Sequence, residues 1–296
     1  MFDKRKRTDF LSPYLELCKI RISLFAVLSA CTGFILTGSE MAIEMVSTMM
    51  GVLFLACGAC ALNQYQERQT DALMDRTKNR PLPAGKIRPL HALYVSLFLL
   101  LGGFISLSLT GGSVLFSLGI FAVIWYNGFY TWVKRKSAFA AVPGALIGAV
   151  PPAIGWIAGG GSMGDQKIAV ICFIFFIWQV PHFWLLLLST GADYKKAGIP
   201  SLHNIFTGKQ ISRITFIWNT AAAVACLLIP LYGVSSSMMV SACLVAAALW
   251  LVWNGTKIIR QKGNTYNYPF LFDRINVYIL IVMLLINIEK MVYAII

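Results

Sequence analysis

AIEMVSTMMGVLFLACGACALNQYQERQTDALMDRTKNRPLP, residues 42 to 83, is an apolar run that ends in a row of polar residues and then a basic, proline-bearing loop. Its first part is long enough and apolar enough to cross a bilayer as a helix. Its end places Asn63, Glu67, Asp71 and Asp75 four residues apart. That step keeps side chains on one face of a helix. The chain holds only 12 acidic residues in 296, so three in one row is a concentration. Carboxylates at the edge of a bilayer are costly unless paired or metal-bound. Like charges at this spacing repel, so a cation is expected among them. Oxygen donors beside Arg76, Lys78 and Arg80 point to Mg²⁺ holding a phosphorylated substrate.

The rest of the chain repeats the alternation of apolar run and polar break. It is 58% hydrophobic and 12% charged, with a mean hydropathy of +0.71. A soluble domain is nearer a quarter charged. The expected class is therefore all-α, a polytopic membrane protein, with residues 1–296 forming one membrane domain. Nine spans are expected, at about 20–38, 42–66, 91–109, 113–133, 139–158, 167–188, 211–232, 236–256 and 273–295. Thr110, Gly111 and Gly112, and again Gly159, Gly160 and Gly161, read as tight turns.

The net charge of +13 would suggest nucleic acid in a soluble protein, but here topology accounts for it. With a cytoplasmic N-terminus, the basic segments Arg68 to Arg88, Lys134 to Lys136, Lys195 to Arg213 and Lys257 to Arg274 all fall inside. Of the 25 Lys and Arg, only Lys167 and Lys290 fall near the outer face. The basic start, MFDKRKRTDF, reads as a retained cytoplasmic arm. No nucleic-acid partner is expected, and the surroundings are the lipid bilayer. The cysteines, Cys57 and Cys60 included, read as small apolar residues of membrane helices. The long loops after the second and sixth spans share an orientation, which suggests a parallel duplication with a site between the halves.

Further polar groups gather on the same side. TKNRPLPAGKI, residues 77 to 87, offers Lys78, Arg80 and Lys86 to a diphosphate, with Pro81 biasing Arg80 out of the helix. DYKKAGIPSL, residues 193 to 202, brings Asp193, either as a metal ligand or as a helix cap. YTWVKRKS, residues 130 to 137, offers Lys134 to a phosphate and Tyr130 to a pocket wall, or simply an interfacial belt with basic anchors. WQVPHF, residues 178 to 183, sets Gln179 and His182 inside a span, where polar groups mark a site or a helix-packing hydrogen bond.

Together these pieces resemble the UbiA superfamily of intramembrane prenyltransferases, and within it the protohaem IX farnesyltransferase (haem O synthase) branch. The residues that carry the resemblance are the Asn63 to Asp75 row running into MDRTKNRPLP, LIGAVPPAIGW at 146 to 156, WQVPHFW at 178 to 184, and DYKKAGIPSL. Glu67 stands where that family usually has Asp, and Ser201 and His203 stand where Met and Pro are common. The resemblance implies nine helices around a central cavity, with Mg²⁺ and farnesyl diphosphate at its cytoplasmic end and haem B as acceptor. It implies Asn63, Glu67, Asp71, Asp75 and Asp193 as metal ligands. Asp71, Asp75, Arg80 and Lys134 would be catalytic, and Asn63, Lys78, Arg80, Tyr130, Lys134, His182 and Asp193 would line the substrates. His182 would hold the haem iron or a propionate. The location implied is the cell inner (plasma) membrane, with a haem A synthase as partner. Two other readings compete: a relative that prenylates an aromatic or quinone precursor, and a cation-coupled transporter. Transporter sites usually lie near the bilayer midplane, whereas these acids stand at a span's end. A haem-binding assembly protein without catalysis is a third reading.

Overall fold

A computed structural model describes residues 4–40, 43–260 and 267–295, and every long element among them is helical. The elements are α1 (Lys4–Leu17), α2 (Ile20–Leu36), α3 (Ile43–Ala72), α4 (Pro89–Val123), α5 (Ala141–Ala158), α6 (Gln166–Ser189), α7 (Gly208–Ala225), α8 (Met238–Arg260) and α9 (Tyr268–Ile295). α4 opens with Pro89 in its first turn, where no N–H is needed. α6 is capped by Asp165, whose carboxylate accepts from Lys167 N at 2.8 Å. Thr207 and Gln210 form a reciprocal cap on α7.

Seven helical segments are long and apolar enough to cross a membrane, or eight if α1 and α2, bent by 55° between Leu17 and Ile20, make one span. Two of the expected spans, 91–109 and 113–133, fall within the longest segment, Pro89–Val133. Gly111 and Gly112 leave helical geometry there, and Gly112 adopts a φ of +58° that suits only glycine. The Phe104 and Phe116 rings meet at 5.6 Å. Twelve residues of straight helix would hold them about 18 Å apart. The chain therefore reverses at the Gly-Gly turn, as Thr110 to Gly112 suggested. Among the described residues the count is seven unbroken segments, or eight with the bent pair, against the nine expected. Ala42 and residues 261–266 of the fourth basic segment fall outside the described residues.

Close helix crossings depend on missing side chains. A Cβ at Gly33 would stand 1.9 Å from Pro152 O, and one at Gly155 would stand 1.8 Å from Ala30 O. Backbones of α2 and α5 thus touch directly, a small-residue crossing common in membranes. Large apolar side chains remain uncovered around the outside, such as Phe98 at 76% and Leu109 at 82% exposure. In water such a girdle would drive aggregation; against lipid it is the matching surface. The protein is a multi-pass membrane protein. On its inside, α2, α6 and α9 meet: Phe25 stacks on Trp178 at 5.2 Å, and Asn287 Nδ2 donates to Thr32 Oγ1 at 3.0 Å. At the end away from the basic loops, Glu289 of α9 accepts from the backbone of Ser236 and Ser237, just before α8.

Candidate active site

α3 is longer than its apolar run, so Asn63, Glu67 and Asp71 all stand on helix. Each is buried, at 3%, 5% and 1% exposure. Asp75 is not on that face. The helix stops at Ala72, and Thr77 Oγ1 donates to Asp71 O at 2.8 Å to close the turn. Asp75 consequently projects from the loop with 56% of its side chain exposed. The row expected from the spacing is three residues on a helix and a fourth beside it.

Each member has a cationic partner from another part of the chain. Lys19 Nζ donates to Asn63 Oδ1 at 3.0 Å, while Asn63 Nδ2 donates to Thr131 Oγ1 at 3.3 Å. Glu67 pairs with Lys134, their side chains 6% and 17% exposed. Asp71 Oδ2 accepts from Arg80 at 2.8 Å, the two side chains 2% and 18% exposed. Asp75 accepts from Lys78 at 2.7 Å and from Lys196. Lys196, then Lys78, hold the Asp75 carboxyl down to about 2, and Asp75 in return pushes Lys196 up. Lys78 is therefore on the exposed rim with Asp75, apart from the buried set.

The second loop docks onto the first. Asp193 lies in the short helix Gly191–Lys196, and its carboxylate accepts from the backbone N–H groups of Asp75 at 3.2 Å and Arg76 at 3.0 Å. Asp193, expected as a metal ligand or a cap, thus caps the first loop's turn. Tyr194 follows it, buried against Met74 and Ile199. Burial pushes its phenol up to about 12. Arg135 donates to Gln66 O at 3.2 Å, so the Lys134 to Lys136 segment joins the same end.

A stripe of rings continues from this polar end into the helices. α4 is extended by a π-helical turn, Ile124–Tyr130, a device often found at functional sites. It holds Tyr126 and Tyr130 stacked at 5.9 Å, with Tyr130 stacked on Phe183 at 5.7 Å. Lys134 Nζ lies 5.9 Å from the Tyr130 ring. His182 is next along α6, with its Nδ1 2.8 Å from Asn276 Oδ1.

One expectation changes. Repulsion along the row does not by itself demand a metal, because Lys134 and Arg80 already neutralise Glu67 and Asp71. No group of three or more His, Cys, Asp or Glu stands close enough to hold a metal among the described residues. The donors still fit Mg²⁺ in kind, being hard oxygens from Asn63, Glu67 and Asp71 on one helical face. Mg²⁺ usually binds through one or two carboxylates plus substrate phosphates and water, not through a protein-only cage. A concavity of about 380 Å³ opens between Gln166 and Tyr232, at the far end of α6, and one of about 10 Å³ lies under the second loop.

Sequence reasoning missed Lys19, Thr131, Tyr194 and Asn276. Lys19 is the one described non-glycine residue with a left-handed φ, 46°. Its signal was present: Lys19 and Arg21 interrupt the apolar stretch between Leu15 and Val27. Asn276 lies in the expected span 273–295, which offers no motif around it.

The comparisons agree with this geometry. The model of the UbiA prenyltransferase family matches residues 24–274. A protoheme IX farnesyltransferase of Oleidesulfovibrio alaskensis is 32% identical over 94% of this chain and 96% of its own. One from Geobacter sulfurreducens is 38% identical over 76% of this chain and 83% of its own. In fold, a digeranylgeranylglyceryl phosphate synthase superposes with a TM-score of 0.76 at 15% identity, covering 95% of this chain and 99% of its own. A UbiA homolog from Archaeoglobus fulgidus bound to GPP and Mg²⁺ does so at 0.66 and 17% identity, covering 93% of this chain and 99% of its own. Helices, loops and polar row thus converge with sequence relatedness over most of the chain, and the protein belongs to the UbiA prenyltransferase family.

Proposed function

We propose that this chain transfers a farnesyl group from farnesyl diphosphate to a vinyl group of protohaem IX, forming haem O. The acceptor is supported by the names of the relatives above. The observation that carries the chemistry is the buried pairing of Glu67 with Lys134 and Asp71 with Arg80, at the foot of the Tyr126, Tyr130 and Phe183 stripe.

The basic partners are the movable half of these pairs. When a diphosphate arrives, Arg80 and Lys134 turn from their carboxylates, and Lys19 from the Asn63 amide oxygen, to phosphate oxygens, where their charge counts most as the leaving group separates. Glu67, Asp71 and Asn63 are then free to hold Mg²⁺, which when bound neutralises diphosphate charge. Asp193 and Tyr194 keep the two loops together and water out. The allylic cation left by C–O cleavage faces aromatic rings, which favour positive charge and offer no nucleophile. The haem vinyl carbon bonds to the farnesyl terminus. The adjacent cation takes up water and loses a proton, leaving a hydroxyethylfarnesyl side chain.

The distribution of Lys and Arg supports a site on the cytoplasmic side of a bacterial inner membrane, with the N-terminus inside. A haem A synthase is the partner that would take the product. The whole chain acts as one domain in this reading. Purified protein in nanodiscs, given haem B, farnesyl diphosphate and Mg²⁺, yields haem O by mass spectrometry. Asp71→Asn abolishes turnover while the protein stays monodisperse. Near-normal turnover of Asp71→Asn sinks the role of the row; prenylation of a quinone precursor with haem B inert sinks the acceptor.

A further inference from the structure

Lys78, Arg80, Lys134 and Lys196, around the polar row, all pair with carboxylates. Lys257 and Arg260 of α8 and Arg274 of α9 pair with none among the described residues. From Trp250 to Val277 the sequence holds four basic residues and one acid, Asp273. Asp273 is exposed, and no ion pair joins it to these three cations.

The three cations lie against rings instead. Arg274 reaches from α9 to α8, its guanidinium carbon 5.9 Å from the Trp250 ring and 4.9 Å from the Phe270 ring. Lys257 Nζ lies 4.8 Å from the same Phe270 ring and donates to Asn254 Oδ1 at 3.3 Å. Arg260 lies 6.0 Å from the Trp253 ring. A ring face attracts a cation but gives its N–H groups no lone pair. Arg274 Nε is a donor in that condition: it is buried and has no hydrogen-bond partner among the described residues.

Position makes the missing anion costly. Arg274 stands six residues into α9, about 9 Å along the axis. Basic anchors at a membrane edge ordinarily stretch their charge into water. Arg274 turns instead toward Trp250, ten residues before α8 ends at Arg260. A charge at that depth calls for an anion. The flank below it is apolar and uncovered: Leu249 and Trp253 on α8, and Val277 and Leu284 on α9, are exposed. A lipid that carries a phosphate matches both parts. Its phosphate accepts from the planar guanidinium and the ammonium, and its chains cover the apolar flank.

We propose that α8 and α9 form, at their basic end, a binding site for an anionic phospholipid. The phosphate sits on Arg274 and Lys257, the headgroup extends toward Arg260, and the acyl chains run along Trp253 and Val277. No bond is made or broken, and the site holds whatever acceptor the polar row serves.

The test uses full-length protein in detergent, with phosphatidylglycerol, phosphatidylcholine or inorganic phosphate added, followed by native mass spectrometry and thermal unfolding. Wild type retains phosphatidylglycerol in preference to phosphatidylcholine and melts higher with it, while inorganic phosphate changes nothing. Arg274→Gln weakens phosphatidylglycerol binding by about 10- to 100-fold, as expected for a lost charged hydrogen bond. Arg274→Lys, which keeps the charge without the planar fork, falls between the two. Lys257→Gln weakens binding by about 5-fold, and this exposed position carries the test should Arg274→Gln lose its fold. Arg213→Gln removes an equal charge from an exposed position on α7 and leaves binding as in wild type. Equal retention of the two lipids overturns the proposal, as does wild-type binding by Arg274→Gln or by Lys257→Gln. An equal loss in Arg213→Gln overturns it in favour of diffuse attraction. A melting shift reproduced by inorganic phosphate overturns it in favour of a free-anion site.

Discussion

Removing Arg80 should unfold the protein more readily than removing both members of its pair. Asp71 is 2% exposed at the side chain, Arg80 18%, and they meet at 2.8 Å. Two unit charges at that distance attract by about 6 kcal/mol at an effective dielectric near 20. Desolvation cancels much of this gain when the pair forms. It does not cancel when one partner is deleted, because the other stays buried and uncompensated, at a cost of about 3–5 kcal/mol. Arg80→Met is therefore expected to lose about that much stability, and Asp71→Asn/Arg80→Met to recover at least about 1.5 kcal/mol of it. Denaturant unfolding in mixed micelles measures all four corners of the cycle. Activity should follow the opposite logic. The double variant regains stability but not turnover, since Arg80 is also needed at the leaving group, where one lost donor costs about 100- to 1,000-fold. An Arg80→Met variant as stable as wild type, or a double variant worse than the sum of the singles, refutes the reasoning.

Chelation should separate activity from stability: EDTA abolishes haem O formation and Mg²⁺ restores it, while the melting temperature stays put, because Lys134 and Arg80 already neutralise Glu67 and Asp71. A fall in melting temperature on chelation would show that the ion is structural. Gly155→Val should prevent a monodisperse preparation, since even a Cβ there stands 1.8 Å from Ala30 O, and overpacking costs at least about 1–3 kcal/mol; normal gel filtration and melting would contradict the crossing. The Asp75 carboxyl is held from its ordinary 3.8 down to about 2 by Lys196 and Lys78. A depressed carboxyl stabilises above its unfolded value, and that contribution is lost as pH falls through the window from about 4 to about 2. Hydrogen exchange in residues 191–196 should thus be flat from pH 8 to pH 5 once corrected for intrinsic rate, yet rise in Asp75→Asn and in high salt. Lys19→Met should raise KM for farnesyl diphosphate more than for haem; equal effects would place Lys19 in the fold alone.

Much of the bundle was legible because a membrane punishes polarity, so every break in an apolar run means something. Gly111 and Gly112 mark a reversal for that reason, and Asn63, Glu67, Asp71 and Arg80 stand out against an apolar background. What stayed hidden is who meets whom. Asp71 finds Arg80 nine residues on, but Asn63 finds Lys19 from 44 residues back, and Asp75 meets Asp193 and Lys196 from about 120 residues on. Spacing within a helix carries no information about such partners. Repulsion along the row therefore carries no argument for a metal by itself: the countercharge comes from the chain.

Asp75 shows a second limit. Its four-residue step continued the pattern, yet no sequence signal announced that α3 would stop at Ala72, because Leu73 and Met74 are good helix formers. The stop is tertiary. Met74 is drawn under Tyr194 and Ile199, and the turn after it is capped by Asp193 from the other loop. Asp75 is thereby turned outward, where Lys78 and Lys196 hold it. The same contacts take the exposed fourth acid out of the buried set and turn it into a clasp. A clasp and a ligand differ in what they tolerate. A swap of charges, Asp75→Lys with Lys196→Asp, should keep a clasp closed and would abolish a metal ligand. Haem O formation by that double variant decides between the two, and this geometry requires that it survive.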